Sequence, residues 1–264
     1  ATNLAFNSPA AYQPPEQAHG SFKAKNGGVV GFFSLEMSAE QLATRIISEQ
    51  TEISSSKIRR GNINDQELVK LVGCSETMQR IPLYIDQTGG ISIAQLSARA
   101  RRLKRQRGLD VMVIDYVQLM QGSSRTQGNR VQENTDSTTG LPARAQELAV
   151  PISALAQLSR QGQNRDDKRP QLADLRESGS IEQDADVVMF VYREEYYLAN
   201  REPKPGTDDH LKWEQALNET RGRAEVIIAK QRHGPTATVP LAFQAEYTRF
   251  TDLADDSYLP ERFE

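Results

Sequence analysis

Residues 29–47 read VVGFFSLEMSAEQLATRII, and this stretch decides the fold class. Val29–Leu35 is an almost continuous apolar run, which is typical of a strand covered on both faces. Ser38 and Gln41 follow with the spacing of a helix capping box. The apolar face of the predicted helix consists of Leu42, Ile46 and Ile47. A strand that leads directly into a helix is the building unit of an α/β protein.

The same pattern recurs further along the chain. Leu83–Asp86 is a predicted strand, and Ser92 and Gln95 cap a predicted helix over Ile93–Arg107. Further predicted strands are Val111–Ile114, Ile152–Leu155, Val187–Tyr192 and Val226–Ala229. Apolar runs of this kind predict a doubly wound, mostly parallel sheet flanked by helices, and the β-rich tail over Thr238–Phe250 predicts a C-terminal β-hairpin.

Composition excludes several classes of protein. The chain has 264 residues, of which 38% are hydrophobic and 25% charged, with a net charge of −3. These values are typical of a globular protein, not of a disordered or membrane-spanning one, and a cytoplasmic location without membrane contact is expected. A single cysteine, Cys74, and three histidines without ligand spacing predict no disulfide and no structural metal.

Polar residues follow four of the predicted strands: Glu36, Asp115, Gln157 and Lys230. The carboxyl ends of parallel strands meet at one edge of a sheet, where ligands bind, so these residues would combine a base, a metal ligand, an amide and a cation around one group. That set suits phosphoryl transfer. Each residue also has a plainer interpretation: Asp115 as a strand-terminal aspartate, Glu36 as a helix-start carboxylate, Gln157 as a surface amide and Lys230 as part of a solvated basic turn.

Two further features leave alternatives open. The helix over Ile93–Arg107 carries six basic residues, which fit either a solvated outer face or a track for nucleic-acid phosphates, and we favour the solvated face. Tyr196 and Tyr197 fit either stacking on a base or packing at an interface.

Four longer strings carry a family resemblance. They are residues 31–38 (GFFSLEMS), 113–120 (VIDYVQLM), 174–186 (DLRESGSIEQDAD) and 230–236 (KQRHGPT). In this order they resemble the C-terminal motor domain of the DnaB family of bacterial replicative helicases. The resemblance implies a RecA-like fold and an ATP-dependent DNA helicase.

The resemblance also implies roles for individual residues. Glu36 matches the catalytic glutamate, Asp115 the Walker B aspartate that binds Mg²⁺ and ATP, and Gln157 the sensor that links phosphate state to DNA. Lys230 and Arg232 match cations that project into the ATP site of the neighbouring subunit. A further match is to a loop that binds single-stranded DNA in the central channel. Its residues here are Arg176, Glu177 and Gly179.

The partners implied by the resemblance are single-stranded DNA at the replication fork, further copies of the chain in a homo-hexamer, primase and a helicase loader. The expected location is the nucleoid. Two alternatives remain: another RecA-type DNA-dependent ATPase such as a strand-exchange protein, and a nonenzymatic DNA-binding or scaffold module.

The sequence departs from the family pattern in its phosphate-binding part. A Walker A motif ends in Gly-Lys-Ser/Thr, and no Gly-Lys dipeptide occurs in the chain. Ala1–Phe6 resembles the middle of the helix that follows that motif. We therefore expect residues 1–264 to be a single motor domain truncated at its N-terminus, without the Walker A segment and the N-terminal collar domain, and with a variable loop over residues 10–28.

A second departure concerns the segment 134–144, where the family has an amphipathic helix. Residues 134–142 read NTDSTTGLP, which favours helix poorly, so we expect a weakened helix there. Asn134, Ser137 and Arg144 stand where the family has apolar side chains. Ser153 similarly interrupts an expected apolar strand.

Overall fold

A computed structural model describes residues 28–120, 140–159, 165, 167–178 and 181–253, without the side chains of 176–178. Its contacts divide the chain into two compact units. The first unit contains the residues up to Ser159 and Ala173–Ala185, and the second contains Arg160–Leu172 and the residues from Asp186 onward. The predicted loop over residues 10–28 lies outside the described residues except for Gly28. The single-domain organisation stays a prediction.

The first unit has a parallel sheet in the order β2-β1-β3-β4. Its strands are β1 (Val30–Ser34), β2 (Leu83–Asp86), β3 (Val111–Asp115) and β4 (Ile152–Ala154). All five residues of β1 are buried, as the continuous apolar run predicted. In the register, Val30 lies opposite both Leu83 and Val111, so β1 is a central strand. Ser153 pairs with Val113 and does not interrupt β4.

Helices cover this sheet. They are α1 (Ala39–Thr51), α2 (Ser55–Arg60), α3 (Asp65–Met78), α4 (Ile93–Arg107), α5 (residues 140–148) and α6 (Ile181–Asp184). Both predicted capping boxes are present, from Ser38 and Gln41 in α1 and from Ser92 and Gln95 in α4. Each box satisfies backbone N–H groups that a helix start leaves unpaired, which fixes where these helices begin.

One core cluster of the first unit lies between α4 and the sheet, and a second one packs Leu42 and Ile46 of α1 on Phe32. Leu96 and Ala100 of α4 are fully buried in a cluster with Met112 and Ile114 of β3. Gly31 of β1 permits this close packing, because a Cβ there would lie only 3.0 Å from a methyl carbon of Leu109. Apolar packing thus stabilises the sheet, and polar residues lie at the carboxyl ends of its strands.

The unusual segment after residue 120 is partly described. Asn134 and Ser137 lie outside the described residues, whereas residues 140–148 form α5 despite the unfavourable composition just before them. Leu141 and Leu148 are buried at 8% and 3% exposure, so α5 keeps an apolar face against the core. Arg144 forms an ion pair with Glu147 on the same helix.

The second unit has an antiparallel sheet in the order β5-β6-β7-β8. Its strands are β5 (Val187–Tyr192), β6 (Arg223–Gln231), β7 (Ala237–Gln244) and β8 (Arg249–Asp252), with helices α7 (Glu194–Ala199) and α8 (Asp208–Thr220). The predicted C-terminal hairpin is confirmed by the β7–β8 pair. The expectation that β5 and β6 are parallel strands is wrong, because they pair with each other in antiparallel register. An apolar run does not reveal strand direction.

Candidate functional site

Glu36 and Asp115 lie at neighbouring strand ends, as predicted. Ser34 and Asp115 end the paired strands β1 and β3 and lie opposite each other. One residue further on, the Leu35 N–H donates to the Asp115 carbonyl at 2.6 Å. The buried Ser34 hydroxyl donates to the Met37 carbonyl at 2.8 Å and accepts from the Met37 N–H at 3.2 Å. This closed turn presents Glu36 at the surface beside the tip of β3.

Two charged side chains, Glu36 and Arg45, act on the Asp115 carboxyl at this edge. Partial burial, and next the negative charge of Glu36, raise the pKa of Asp115 above its ordinary value, while Arg45 of α1 opposes them. The two carboxylates therefore repel each other, and a cation from α1 is close enough to offset part of that repulsion. Sequence reasoning missed Arg45, since an exposed helical arginine has no distinguishing signal until the fold brings it to the strand ends.

The donor chemistry at this edge fits a hard divalent cation held together with a polyphosphate. Mg²⁺ prefers oxygen ligands and is commonly bound by one or two carboxylates plus substrate phosphates, and the Asp115 carboxylate supplies such oxygens. Within the part of the chain that the structure describes, no group of three or more His, Cys, Asp or Glu residues is placed to hold a metal ion. Asp115 thus fits a shared metal–nucleotide site better than an all-protein cage.

Gln157 follows β4 and contacts Gln118, which follows β3. The side-chain amide of Gln118 donates from Nε2 to the Gln157 carbonyl at 3.0 Å and accepts at Oε1 from the Gln157 N–H at 3.2 Å. The structure therefore brings Gln157 to the same edge as Asp115. Sequence reasoning missed Gln118, although its position just after the strand-terminal aspartate in the 113–120 string was a usable signal.

Lys230 and Arg232 lie in the second unit. Lys230 is the penultimate residue of β6, in the antiparallel sheet, so the prediction that it ends a strand of the parallel sheet is wrong. The β5–β6 register shifts beside Lys230, because Val188 pairs with Lys230 and Met189 with Ile228, which leaves Ala229 as an extra residue. Such a bulge changes the face on which the following side chains lie.

The register beside this bulge sets the face on which Lys230 lies. Cross-strand partners share a face, so Lys230 lies on the face of Val188, which is the buried face of β5. Arg232 lies just beyond the end of β6, in the turn that follows it. Its N–H donates to the Asp186 carbonyl at 2.8 Å, and its guanidinium lies 3.0 Å from the Asp186 carboxylate. Asp186 is a third residue that sequence reasoning missed.

The predicted DNA-binding residues are only partly described. Arg176 and Glu177 lie in the 3-10 helix Leu172–Ser178, which places them on a helical turn, and their side chains lie outside the described part. Gly179 lies outside it as well. Their DNA-binding role stays a prediction.

The basic face of α4 is substantially occupied by intramolecular contacts. Arg99 donates to the Asp86 carboxylate at 2.6 and 2.8 Å, Arg101 pairs with Glu147 at 2.6 Å, and Lys104 donates to the Leu148 carbonyl. These contacts favour a structural role over a phosphate track. Tyr197 stacks on Tyr192 and meets Tyr196 edge-on, so these three rings pack on one another.

A parallel sheet flanked by helices, with acidic residues at neighbouring carboxyl ends, is typical of α/β proteins that bind nucleotides at that edge. Comparison with known families identifies the particular one. The chain belongs to the family of the DnaB-like helicase C-terminal domain, which matches residues 10–252. The family resemblance drawn from the sequence strings is therefore confirmed. Replicative helicases of this family are ATP-dependent enzymes.

Relatives in several bacteria have sequences similar to this one. The chain is 47% identical over 224 residues to the replicative DNA helicase DnaB of Rickettsia felis, which covers 85% of this chain and 45% of that protein. It is 43% identical over 234 residues to the replicative DNA helicase DnaB of Geobacillus stearothermophilus, covering 88% and 48% respectively. The chain thus spans about half the length of the curated relatives it matches.

Solved structures agree with the fold. One is a DnaB-like replicative helicase described with its interactions with primase, with a TM-score of 0.74, 35% identity, and coverage of 86% of this chain and 51% of that one. Another is an ATPase domain, with a TM-score of 0.74, 34% identity, and coverage of 86% of this chain and 75% of that one. The predicted RecA-like α/β class is thereby confirmed. No helix among the described residues is long and apolar enough to cross a membrane.

Proposed function

We propose that this chain is the motor of a replicative DNA helicase, which uses ATP and Mg²⁺ to move along single-stranded DNA and separate the duplex at a replication fork. The observation that carries the proposal is that Glu36 and Asp115 lie at adjacent strand ends, where the negative charge of Glu36 acts on the Asp115 carboxyl. Phosphoryl transfer needs a group that orients or deprotonates the attacking water and a group that helps hold the metal.

The chemical roles follow from position. Asp115, at the tip of β3, would hold Mg²⁺, which would supply positive charge to neutralise the nucleotide phosphates. Glu36 accepts the proton of the water whose oxygen forms the new bond to the terminal phosphorus, as the bond from that phosphorus to ADP breaks. Gln157 carries an exposed amide that senses the presence of the terminal phosphate. These roles agree with those implied by the family.

The basic residues of the second unit act on a different copy of the chain. Lys230 and Arg232 stabilise the charge that develops on the transferred phosphate in the adjoining subunit, so hydrolysis requires a ring, which we propose is a homo-hexamer. Arg176, Glu177 and Gly179 contact the DNA backbone without reading bases, which suits a motor that must traverse every sequence. The structural relative described with primase supports primase as a partner, and a helicase loader is a further proposed partner.

The proposal is tested by comparing two charge-neutralising substitutions in an extended protein, in which a Walker A segment precedes residue 1. Glu36→Gln should retain ATP binding and lower hydrolysis by at least about 10²-fold, because an amide is a poor base. Glu40→Gln is the matched control, since Glu40 is also exposed and lies on the first turn of α1. ATP binding and turnover are measured for both.

Three outcomes would count against the proposal. Equal activity of the two variants would remove Glu36 from catalysis. If the extended protein pairs homologous strands and does not unwind a fork, a strand-exchange ATPase would be favoured. DNA binding without any nucleotide binding would favour the scaffold alternative, which the lack of a Gly-Lys dipeptide in this chain brings into consideration.

A further inference from the structure

The side chain of Gln118 acts as a substitute strand partner for residue 157. Regular pairing between β3 and β4 ends at Ile114 and Ala154, and the Leu155 N–H still donates to the Ile114 carbonyl at 2.9 Å. The pairing of the two strands does not extend to Gln157. The two hydrogen bonds from the Gln118 amide, at 3.0 and 3.2 Å, satisfy both the carbonyl and the N–H of Gln157 instead.

The amide of Gln118 is presented from a rigid turn. Val117 and Met120 flank it at 1% and 5% exposure, and both belong to the apolar core. The Val117 N–H donates to the Leu155 carbonyl at 3.0 Å, and the Met120 N–H donates to the Val117 carbonyl at 3.1 Å. The turn therefore cannot shift without disturbing buried groups, so the position of Gln157 is tied to the end of β3 that carries Asp115.

A second contact continues from Gln157 towards the proposed DNA loop. The Ser159 N–H donates to the Asp174 carbonyl at 3.1 Å. Asp174 and Leu175 are buried at 7% and 4% exposure and precede Arg176 on the same 3-10 helix. Ser159, Asp174 and Gln118 all belong to the first unit. The segment 157–159 is thus fixed at one end to the β3 tip and at the other to the turn that carries the proposed DNA-binding residues.

We infer that Gln118 is a positioning residue that couples the nucleotide edge of the sheet to the DNA loop, by holding the backbone of Gln157 while the Gln157 side chain stays available for phosphate. The role rests on the proposed function. Among the residues that the structure describes, the Gln157 side-chain amide makes no hydrogen bond, whereas its backbone is fully engaged. Backbone fixation with a free side chain is the arrangement a sensor requires.

The chemistry of the contact demands an amide at position 118. One bond needs a donor and the other an acceptor, and a primary amide supplies both. An ionised glutamate supplies acceptors only and would place a charge against the Gln157 carbonyl. A protonated glutamate regains an O–H donor while keeping its carbonyl acceptor, so Gln118→Glu should behave as a pH-dependent version of the wild type.

The first experiment measures hydrogen-exchange protection factors, each referred to the intrinsic exchange rate at its pH, in the full 264-residue chain. Gln118→Leu should lower the protection of the Gln157 N–H by about tenfold or more and weaken that of the Ser159 N–H as well. Gln118→Glu should show a smaller loss than Gln118→Leu at about pH 8, because the ionised carboxylate still accepts from the Gln157 N–H but repels the Gln157 carbonyl, and it should recover protection below about pH 5 as its carboxyl protonates. Gln106→Leu, at an exposed position of α4, is the control and should change neither amide.

The second experiment measures ATP turnover of the extended protein with and without single-stranded DNA. Gln118→Leu should lower the ratio of DNA-stimulated to unstimulated turnover by about tenfold, and Gln118→Glu should recover the ratio at lower pH relative to wild type at the same pH. A purely structural role would not produce this recovery.

The outcomes separate the two proposals. Unchanged protection of Gln157 in Gln118→Leu, or an unchanged stimulation ratio in that variant beside a stimulated wild type, would overturn the positioning role and leave the helicase function standing. A wild type that hydrolyses no ATP in response to DNA would overturn the helicase function, and the coupling role with it, whatever the exchange data show.

Discussion

The guanidinium of Arg232 lies 3.0 Å from the carboxylate of Asp186, and a backbone hydrogen bond joins the same two residues. Both side chains are largely in solvent, at 50% and 73% exposure. An exposed ion pair of this kind contributes little to stability, because water already solvates both charges. Breaking the contact between Arg232 and Asp186 should therefore change the stability of the fold little.

This relationship predicts a contrast between two carboxylate substitutions in the second unit. Asp186→Asn should change the free energy of unfolding by less than about 0.5 kcal/mol. Glu225→Gln should cost more, about 1 kcal/mol, since Glu225 holds Arg169 through two hydrogen bonds and Arg169 also lies over the Tyr192 ring. Chemical denaturation of both variants checks this, and a larger loss for Asp186→Asn would mean that the Arg232–Asp186 pair stabilises the fold.

Asp115 should show a trade-off between stability and function. Its pKa is raised in the folded chain by burial and then by Glu36, so the folded state disfavours the ionised form relative to the unfolded state. At neutral pH the ionised carboxylate thus destabilises the fold, and this cost disappears as the pH falls through the raised pKa. Asp115→Asn should raise the melting temperature at about pH 7 and lose that advantage at acidic pH, while abolishing Mg²⁺-dependent turnover of the extended protein.

A double-mutant cycle tests the origin of that effect. In a Glu36→Gln background the repulsion on Asp115 is weaker, so Asp115→Asn should raise the melting temperature by less. Melting curves of the wild type, both single mutants and the double mutant at neutral pH provide the measurement. Equal gains with and without Glu36 would show that burial alone disfavours the charge and that the two carboxylates are not coupled.

The basic face of α4 should contribute to stability and not to DNA binding. Burial by itself would raise the pKa of Asp86, but hydrogen bonds from Arg99 and Thr88 together hold that pKa below its ordinary value. Stability from this contact is present above the unfolded pKa and is lost as the pH falls through the lowered one. Arg99→Met should therefore lower the unfolding free energy at neutral pH by roughly 0.5–1 kcal/mol.

Arg105→Met is the matched control for Arg99→Met, because it removes the same charge from an exposed position on the same helix. We expect only Arg99→Met to reduce stability, and neither variant to change the affinity for single-stranded DNA. A similar loss of DNA affinity in both variants, with a shallower salt dependence, would restore the interpretation of α4 as a phosphate track.

Much of the first unit was predictable because its signals are local. The apolar run of β1 and the two capping boxes fix a strand and the starts of two helices within a few residues, and the structure places them there. Strand direction in the second unit was not predictable in this way. Pairing of β5 with β6 depends on contacts between residues as distant in the chain as Val187 and Gln231, and apolar runs carry no information on direction.

The candidate site shows the same division. Glu36, Asp115 and Gln157 could be placed together because each lies within two residues of the end of a predicted strand of the parallel sheet. Arg45 and Gln118 could not, since their roles arise only when a helix and a turn bring them to the strand ends. The bulge at Ala229 was likewise invisible, because it exists only in the pairing of two strands.

The proposed DNA loop gives a prediction that depends on salt. Arg176→Ala in the extended, ring-forming protein should weaken binding of single-stranded DNA by a similar factor for all sequences, since a backbone contact carries no base information. The slope of log affinity against log salt should also fall by roughly one phosphate contact. Binding isotherms for several oligonucleotides at several salt concentrations measure both effects, and a loss confined to one base composition would contradict backbone recognition.

Arg232 is proposed to act in the ATP site of a neighbouring subunit. Arg232→Ala should abolish turnover of the extended protein, since an arginine finger supplies roughly 10³- to 10⁵-fold in rate. It should leave folding intact, because the Asp186 pair that it removes is exposed. Glu36→Gln should be inactive for a different reason, the loss of the base. Each inactive subunit therefore retains what the other lacks.

Mixing the two preparations distinguishes action within a subunit from action across an interface. Where an Arg232→Ala subunit supplies Glu36 and a Glu36→Gln neighbour supplies Arg232, one complete site forms at their junction. ATP turnover should then recover under conditions in which subunits exchange, and it should rise to a maximum at intermediate mixing ratios. Mixed rings verified by mass spectrometry that show no recovery would mean that Arg232 serves the site of its own subunit, since each ring would then contain only sites that lack either the base or the finger.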